Sequence, residues 1–162
     1  MASPNRLTRA ALDETLWLAE CGIERIGHLN ERDLLLVGTA LDAAEGAKGK
    51  GAVIFANTDP RMIALFLRWL RTFFVVDESR VRARLYLHAD LDIRRATAFG
   101  ADLTGIPTTQ FHKPYRAVVD ATRRKHRHLC GCLTVRYSST TMHREVMGLV
   151  GALLAYPGGN PG

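Results

Sequence analysis

Eight residues near the middle of the chain, Val81-Arg-Ala-Arg-Leu-Tyr-Leu-His88, alternate apolar and polar without a break. Side chains on an extended strand point to opposite faces in turn, so this run predicts a strand. Val81, Ala83, Leu85 and Leu87 form its core face. Arg82, Arg84, Tyr86 and His88 form the other, which is basic and aromatic.

The rest of the chain divides around this strand. A length of 162 residues suits one domain with a short appendage. Residues 1–29 read as one helix and a connector, with Leu12, Leu16, Ala19 and Ile23 at helical spacing and Gly22 or Gly27 to end it. This acidic piece is expected to pack less firmly than the rest, and its charge would allow it to dock on the basic remainder. Residues 30–156 form the main domain, and 157–162 a loose tail. Asn30 or Asp33 can cap a helix whose stripe is Leu34, Leu35, Val37 and Leu41. Its small residues, Gly38, Thr39, Ala40, Ala43, Ala44 and Ala47, let another helix approach closely. A short strand at Ala52–Ala56 leads into Asn57-Thr-Asp-Pro60, a strong helix start. That helix carries Met62, Ile63, Leu65, Phe66, Trp69, Leu70, Phe73 and Phe74 and is amphipathic, with Arg61, Arg68 and Arg71 outside. Leu91–Leu103 reads as a helix with Ile93, Ala96, Phe99 and Leu103 inward. Strands are expected at 110–118 and 132–138, joined as a hairpin by the basic segment Asp120–His128. A last helix runs from Met142 to Tyr156, with Ser138–Thr141 as its capped entrance. The order of elements predicts an α+β fold, with a mixed sheet of about four strands and helices on one face.

Charge indicates the kind of partner. The net charge is +6, yet residues 1–47 carry −4 and residues 48–162 carry +10. A segment that basic attracts polyanions, nucleic acid before acidic membrane. Arg outnumbers Lys by 18 to four, and Arg favours bidentate phosphate and guanine contacts. Arg82, Arg84 and Tyr86, joined by Lys113, Tyr115, Arg116 and Arg136 from the two later strands, would make a patch for phosphates and base edges. Arg123, Arg124 and Lys125 would extend it as a basic arm. The competing expectation pairs these arginines with acids such as Asp90 or Asp102.

Other chemistry is thinner. Three cysteines make no disulfide framework, the first residues lack a signal-peptide apolar core, and the longest apolar stretch is about half a membrane span. These features predict a cytoplasmic protein with no membrane segment. His126, His128, Cys130 and Cys132 are metal-ligand types at a spacing unlike common zinc sites, so a hairpin with Cys132 buried is expected there. Glu45 closes the small-residue helix just before Gly46, with Asp42 one turn away. Two such helices packed together would set carboxylates side by side, where Mg²⁺ can bind. The alternative is an exposed Glu45 paired with Lys48. No G-x-S-x-G, P-loop, G-x-G-x-x-G or H-E-x-x-H motif occurs.

Leu34-Leu-Leu-Val-Gly-Thr-Ala-Leu-Asp-Ala-Ala-Glu-Gly46 resembles the signature helix of the LAGLIDADG homing-endonuclease superfamily. The stretches Val53–Met62, Arg82–His88 and Leu103–Pro107 are similar to the strand, helix, strand and helix that come after that signature. The resemblance covers about four-fifths of the chain and extends to a bacterial branch without a characterised function. It implies a saddle whose sheet lies on double-stranded DNA, and a homodimer through the helix 34–46, since one motif copy is present. It also implies a metal-binding acid at Glu45, where the family usually has Asp, while Asp42 stands at a position the family keeps apolar. Three functions are expected on these grounds. The first is a non-catalytic or regulatory DNA-binding protein without a cofactor. The second is an Mg²⁺-dependent homing-type endonuclease with Glu45 catalytic. The third is a protein-interaction module.

Overall fold

The structure, a computed structural model, describes residues 6–46, 51–88, 91–117 and 131–155. Its elements, in order, are α1 (Arg6–Ile26), α2 (Glu31–Glu45), β1 (Val53–Asn57), α3 (Pro60–Phe73), β2 (Val81–His88), α4 (Ile93–Thr104), β3 (Tyr115–Ala117), β4 (Cys132–Tyr137) and α5 (Thr140–Leu154). The fold is α+β, with one four-stranded mixed sheet. Two compact units divide the chain, the first ending at Leu34 and the second beginning at Leu35.

The first unit is mainly α1, which runs through Gly22 and stops before Gly27. Leu12, Leu16, Trp17, Leu18, Ile23 and Ile26 are each more than half exposed on it. At the start of α2 both predicted caps are used. Asn30 Oδ1 accepts from the Asp33 amide and Asp33 Oδ2 accepts from the Asn30 amide, each at 3.0 Å. This reciprocal pair satisfies two donors that a helix start leaves open.

In the second unit the strands run β1-β4-β2-β3. β4 lies antiparallel between β1 and β2, and β3 lies parallel to β2 at the edge. The expected hairpin of the last two strands is therefore not formed, because β2 separates them. The strand expected over 110–118 is also shorter. Thr108–Gln110 is a 3₁₀ turn after Pro107, and pairing in a strand starts only at Tyr115, after Pro114. Proline lacks the N–H that a ladder needs.

One sheet face holds the core. Phe55 stacks on Phe66 with ring centres 4.3 Å apart, Phe66 meets Trp69 at 5.4 Å, and Trp69 meets Phe74 edge-on at 5.2 Å. Around them Ile63, Leu67, Leu70, Leu85, Leu87, Val135 and Val146 are fully buried. α3 begins as expected: Asp59 caps it through the Arg61 amide at 2.9 Å, and Pro60 supplies the first turn. α5 is capped by Ser139, which accepts from Met142 N.

One apolar expectation fails locally. Phe99 is 44% exposed, while Gly100 and Thr104 are buried on α4. The Phe111 ring sits where a Gly100 Cβ would be only 3.1 Å from it, so the inward face of α4 follows Gly100 and not Phe99. The small residues of α2 have an intramolecular use. A Cβ on Gly38 would fall 2.0 Å from Cγ of Trp69, so only glycine lets α3 press its largest side chain against α2. Gly38 and Thr39 are thereby buried within the chain, whereas Ala40 and Ala44 stay exposed.

This close approach predicts an asymmetry among helical glycines. Gly38→Ala is expected to lower unfolding free energy by about 1–3 kcal/mol through overpacking. Gly148→Ala, on α5 with nothing within 4 Å, should be neutral or stabilising by up to about 1 kcal/mol. Urea unfolding of the two variants measures the contrast, and equal losses would contradict the packing described.

Candidate nucleic-acid interface

The alternation of β2 survives in the folded chain. Val81, Ala83, Leu85 and Leu87 are buried, Arg82 and Arg84 are half-buried, and Tyr86 and His88 are exposed. Register then decides what stands beside them. Arg82 is opposite Arg136 of β4, Arg84 opposite Thr134, and Tyr86 opposite Cys132 on one side and Tyr115 of β3 on the other. On the far side of β4, Ile54 of β1 is opposite Arg136. Residues directly opposite one another share a face. Arg82, Arg84, Tyr86, Tyr115 and Arg136 therefore occupy one face, away from the core.

These side chains surround a shallow cavity of about 670 Å³, together with His112, Cys132, Thr134 and Ser138. Gly131 permits this arrangement at the entry of β4. Its φ is +63°, and a Cβ there would lie 2.1 Å from the Tyr86 carbonyl oxygen.

The guanidinium groups are held mainly by neutral groups. Arg82 Nη1 donates to the carbonyls of Ser79 at 2.6 Å and Val81 at 2.9 Å. Arg136 Nε donates to Ser138 Oγ at 3.1 Å. Arg84 Nη1 donates to the Tyr115 hydroxyl at 3.0 Å, and its guanidinium carbon lies 4.7 Å from the centre of that ring. Arg84 Nε is buried without a hydrogen-bond partner among the described residues. Within the described residues none of the three has a carboxylate in ion-pair range; the ion pairs there are Arg61–Asp59 and Arg71–Glu78, outside this face. The expected pairing with Asp102 is thus not made, and Asp90 lies outside the described residues.

Like charges directly opposite across a ladder destabilise it by roughly 0.2–1 kcal/mol. Arg82 and Arg136 form such a pair, with Arg84 two residues further on the same face. A bound anion would relieve the repulsion and bring acceptors to donors that now meet carbonyls or nothing.

Other expected positions differ. Arg116 is opposite Leu87, so its position belongs to the core-side face at the sheet edge, and its Nη2 lies 3.5 Å from the Leu91 carbonyl. Lys113 is exposed in the loop before β3 and does not line the cavity, because the strand begins later than expected. Cys132 is half-buried on the open face, not in the core, because β4 sets Leu133 and Val135 inward. Burial pushes its thiol pKa up, away from the reactive thiolate. Arg123, Arg124 and Lys125 lie outside the described residues, as do His126, His128 and Cys130. His112 joins the face although no local pattern marks it. It succeeds the isolated bridge of Phe111 to Ala83, and its amide donates to the Ala83 carbonyl at 2.8 Å.

The acids of α2 are placed apart from this face. Glu45 is exposed at the helix end, and Asp42 is half-buried in a small cleft beside Gly46, Val53 and His143. Among the described residues no three His, Cys, Asp or Glu side chains gather as a metal site. Among the described residues no helix is long and apolar enough to cross a membrane.

Both charge environments have measurable consequences. Burial holds the Asp42 carboxyl above its ordinary pKa of 3.8, against the opposing pull of His143. An acid raised in the folded state binds its proton more tightly there, so its ionisation costs stability above the folded pKa and costs nothing below the ordinary value. Asp42→Asn should then stabilise the protein at neutral pH, and the gain should vanish in acid below pH 3.8. Urea unfolding across pH tests this; a gain independent of pH would refute it. Separately, Arg136→Gln should raise stability in low salt by up to about 1 kcal/mol. The difference should shrink in high salt as the charges are screened. A loss of stability in low salt would show that the opposed arginines do not repel.

Comparison with known proteins finds no matching family, no matching curated protein and no matching solved structure.

Proposed function

We propose that this protein binds DNA on the open sheet face, as a regulatory or otherwise non-catalytic component. The observation that carries the reading is the register pair Arg82–Arg136 with Arg84 beside it on the same sheet face, without carboxylate partners among the described residues. Surfaces that place like charges opposite each other lose stability for that arrangement, and an anionic ligand gives it a use. Phosphate contacts supply most of the affinity for DNA, and arginine is suited to them. The +10 balance of residues 48–162 favours the same partner. The motif likeness to the LAGLIDADG superfamily supports a DNA-binding architecture, and membership is proposed on those motifs alone.

Binding is the whole of the proposed activity. Neither Asp42 nor Glu45 lines the open face, and no hydrolytic step is assigned to them. A homodimer through α2 is compatible with the exposed Ala40 and Ala44, but binding by this face does not require it.

Fluorescence anisotropy with a labelled oligodeoxynucleotide at several salt concentrations tests the proposal. Three neutralised phosphates give a slope of log K against log salt of about −2 to −3. Arg82→Gln or Arg136→Gln should each reduce the slope by about one, while Glu45→Gln leaves binding unchanged. A flat salt response, or full affinity in Arg82→Gln/Arg136→Gln, would contradict it.

A further inference from the structure

We infer that the open face takes unpaired bases, so that single-stranded nucleic acid is bound in preference to duplex. This rests on the nucleic-acid reading above and names the form that the face selects.

Tyr86 and Tyr115 are register partners on adjacent strands, and they are 50% and 58% exposed. Their environments differ. The Tyr115 ring carries the Arg84 guanidinium, which also bonds its hydroxyl, so these two side chains hold one another. Tyr86 has no aromatic or cationic partner among the described residues. An aromatic ring left half in water offers a stacking surface for another flat π system.

The cavity between the tyrosines and the opposed arginines is large enough for such a group. Its volume of about 670 Å³ lies within the range of small-molecule sites. Tyr86 and Arg82 are four residues apart on β2, about 13 Å at a strand's rise of ~3.3 Å per residue. A base at one end and phosphates at the other fit that separation. Duplex DNA presents phosphates to a face of this kind, but its base planes are already stacked inside the helix. Only an unpaired base has a free π face to give to Tyr86. The arginines serve both forms of nucleic acid, whereas Tyr86 serves one.

The test uses the full chain and a fluorescein-labelled strand of about 16 nucleotides, alone and annealed to its complement, at one salt concentration. The strand should bind about tenfold more tightly than the duplex. Tyr86→Ala should lose about that factor for the strand and nothing for the duplex. Tyr86→Phe, which keeps the ring, should retain the preference. Arg136→Gln should weaken both forms. Equal or tighter binding of the duplex, or a Tyr86→Ala loss shared by both forms, overturns the inference and leaves the DNA-binding reading standing. A Tyr86→Phe loss as large as that of Tyr86→Ala overturns the stacking role. Binding of neither form overturns the DNA-binding reading and this inference with it.

Discussion

The two-residue period of β2 is the constraint on which the rest of the sheet depends. With Val81, Ala83, Leu85 and Leu87 sealed into the core, Arg82, Arg84 and Tyr86 have only the opposite face to occupy. A shift of one residue in register would bury both guanidinium groups and expose four apolar side chains. Such a slip is strongly disfavoured, because a buried charge without a partner is far more costly than a buried leucine is favourable. The aromatic run Phe55–Phe66–Trp69–Phe74 fixes the core side. Gly38 is what allows Trp69 to reach it from beneath α2.

Two arginines of α3 are held by acids, whereas the three of the open face are held by neutral groups. On α3, Arg61 and Arg71 hold Asp59 and Glu78 at 2.6 and 2.7 Å. Arg71 also donates to the Thr104 carbonyl, tying α3 to the end of α4. These are neutralised, structural positions. On the open face Arg82 and Arg136 stand opposite each other, and Arg84 is steadied by a tyrosine ring. Natural folds place local costs of that kind where a ligand offsets them. That placement of Arg82 opposite Arg136, more than the total of positive charge, motivates the proposed role.

Much of the architecture is legible in the residues. The caps at Asn30, Asp33, Asp59 and Ser139 are local chemistry, and each is visible within three residues of its helix. The strands β1, β2 and β4 announce themselves by apolar content or alternation. Pairing order is another matter. Nothing local to Tyr115 says that it will lie beside Tyr86 in parallel, since that partnership is set by how the whole sheet closes. The same reason explains the misplacement of Lys113 and Arg116: once the strand starts at Tyr115, alternation puts Arg116 on the other face. Phe99 points outward because Phe111, from a distant turn, already fills the space beside Gly100. His112 reaches the open face through backbone bonding to Ala83, a long-range contact with no signal of its own. The small residues of α2 suggest a seam for a second helix, and part of that seam accommodates Trp69 of the same chain.

The central claim is that a specific cluster of guanidinium groups, and not diffuse positive charge, meets the polyanion. Arginine side-chain Nε–Hε spectra recorded during titration with an oligodeoxynucleotide address it residue by residue. The resonances of Arg82, Arg84 and Arg136 are predicted to shift together while those of Arg61 and Arg71 stay in place. Uniform small shifts across all arginines, or changes centred on α3, would contradict it.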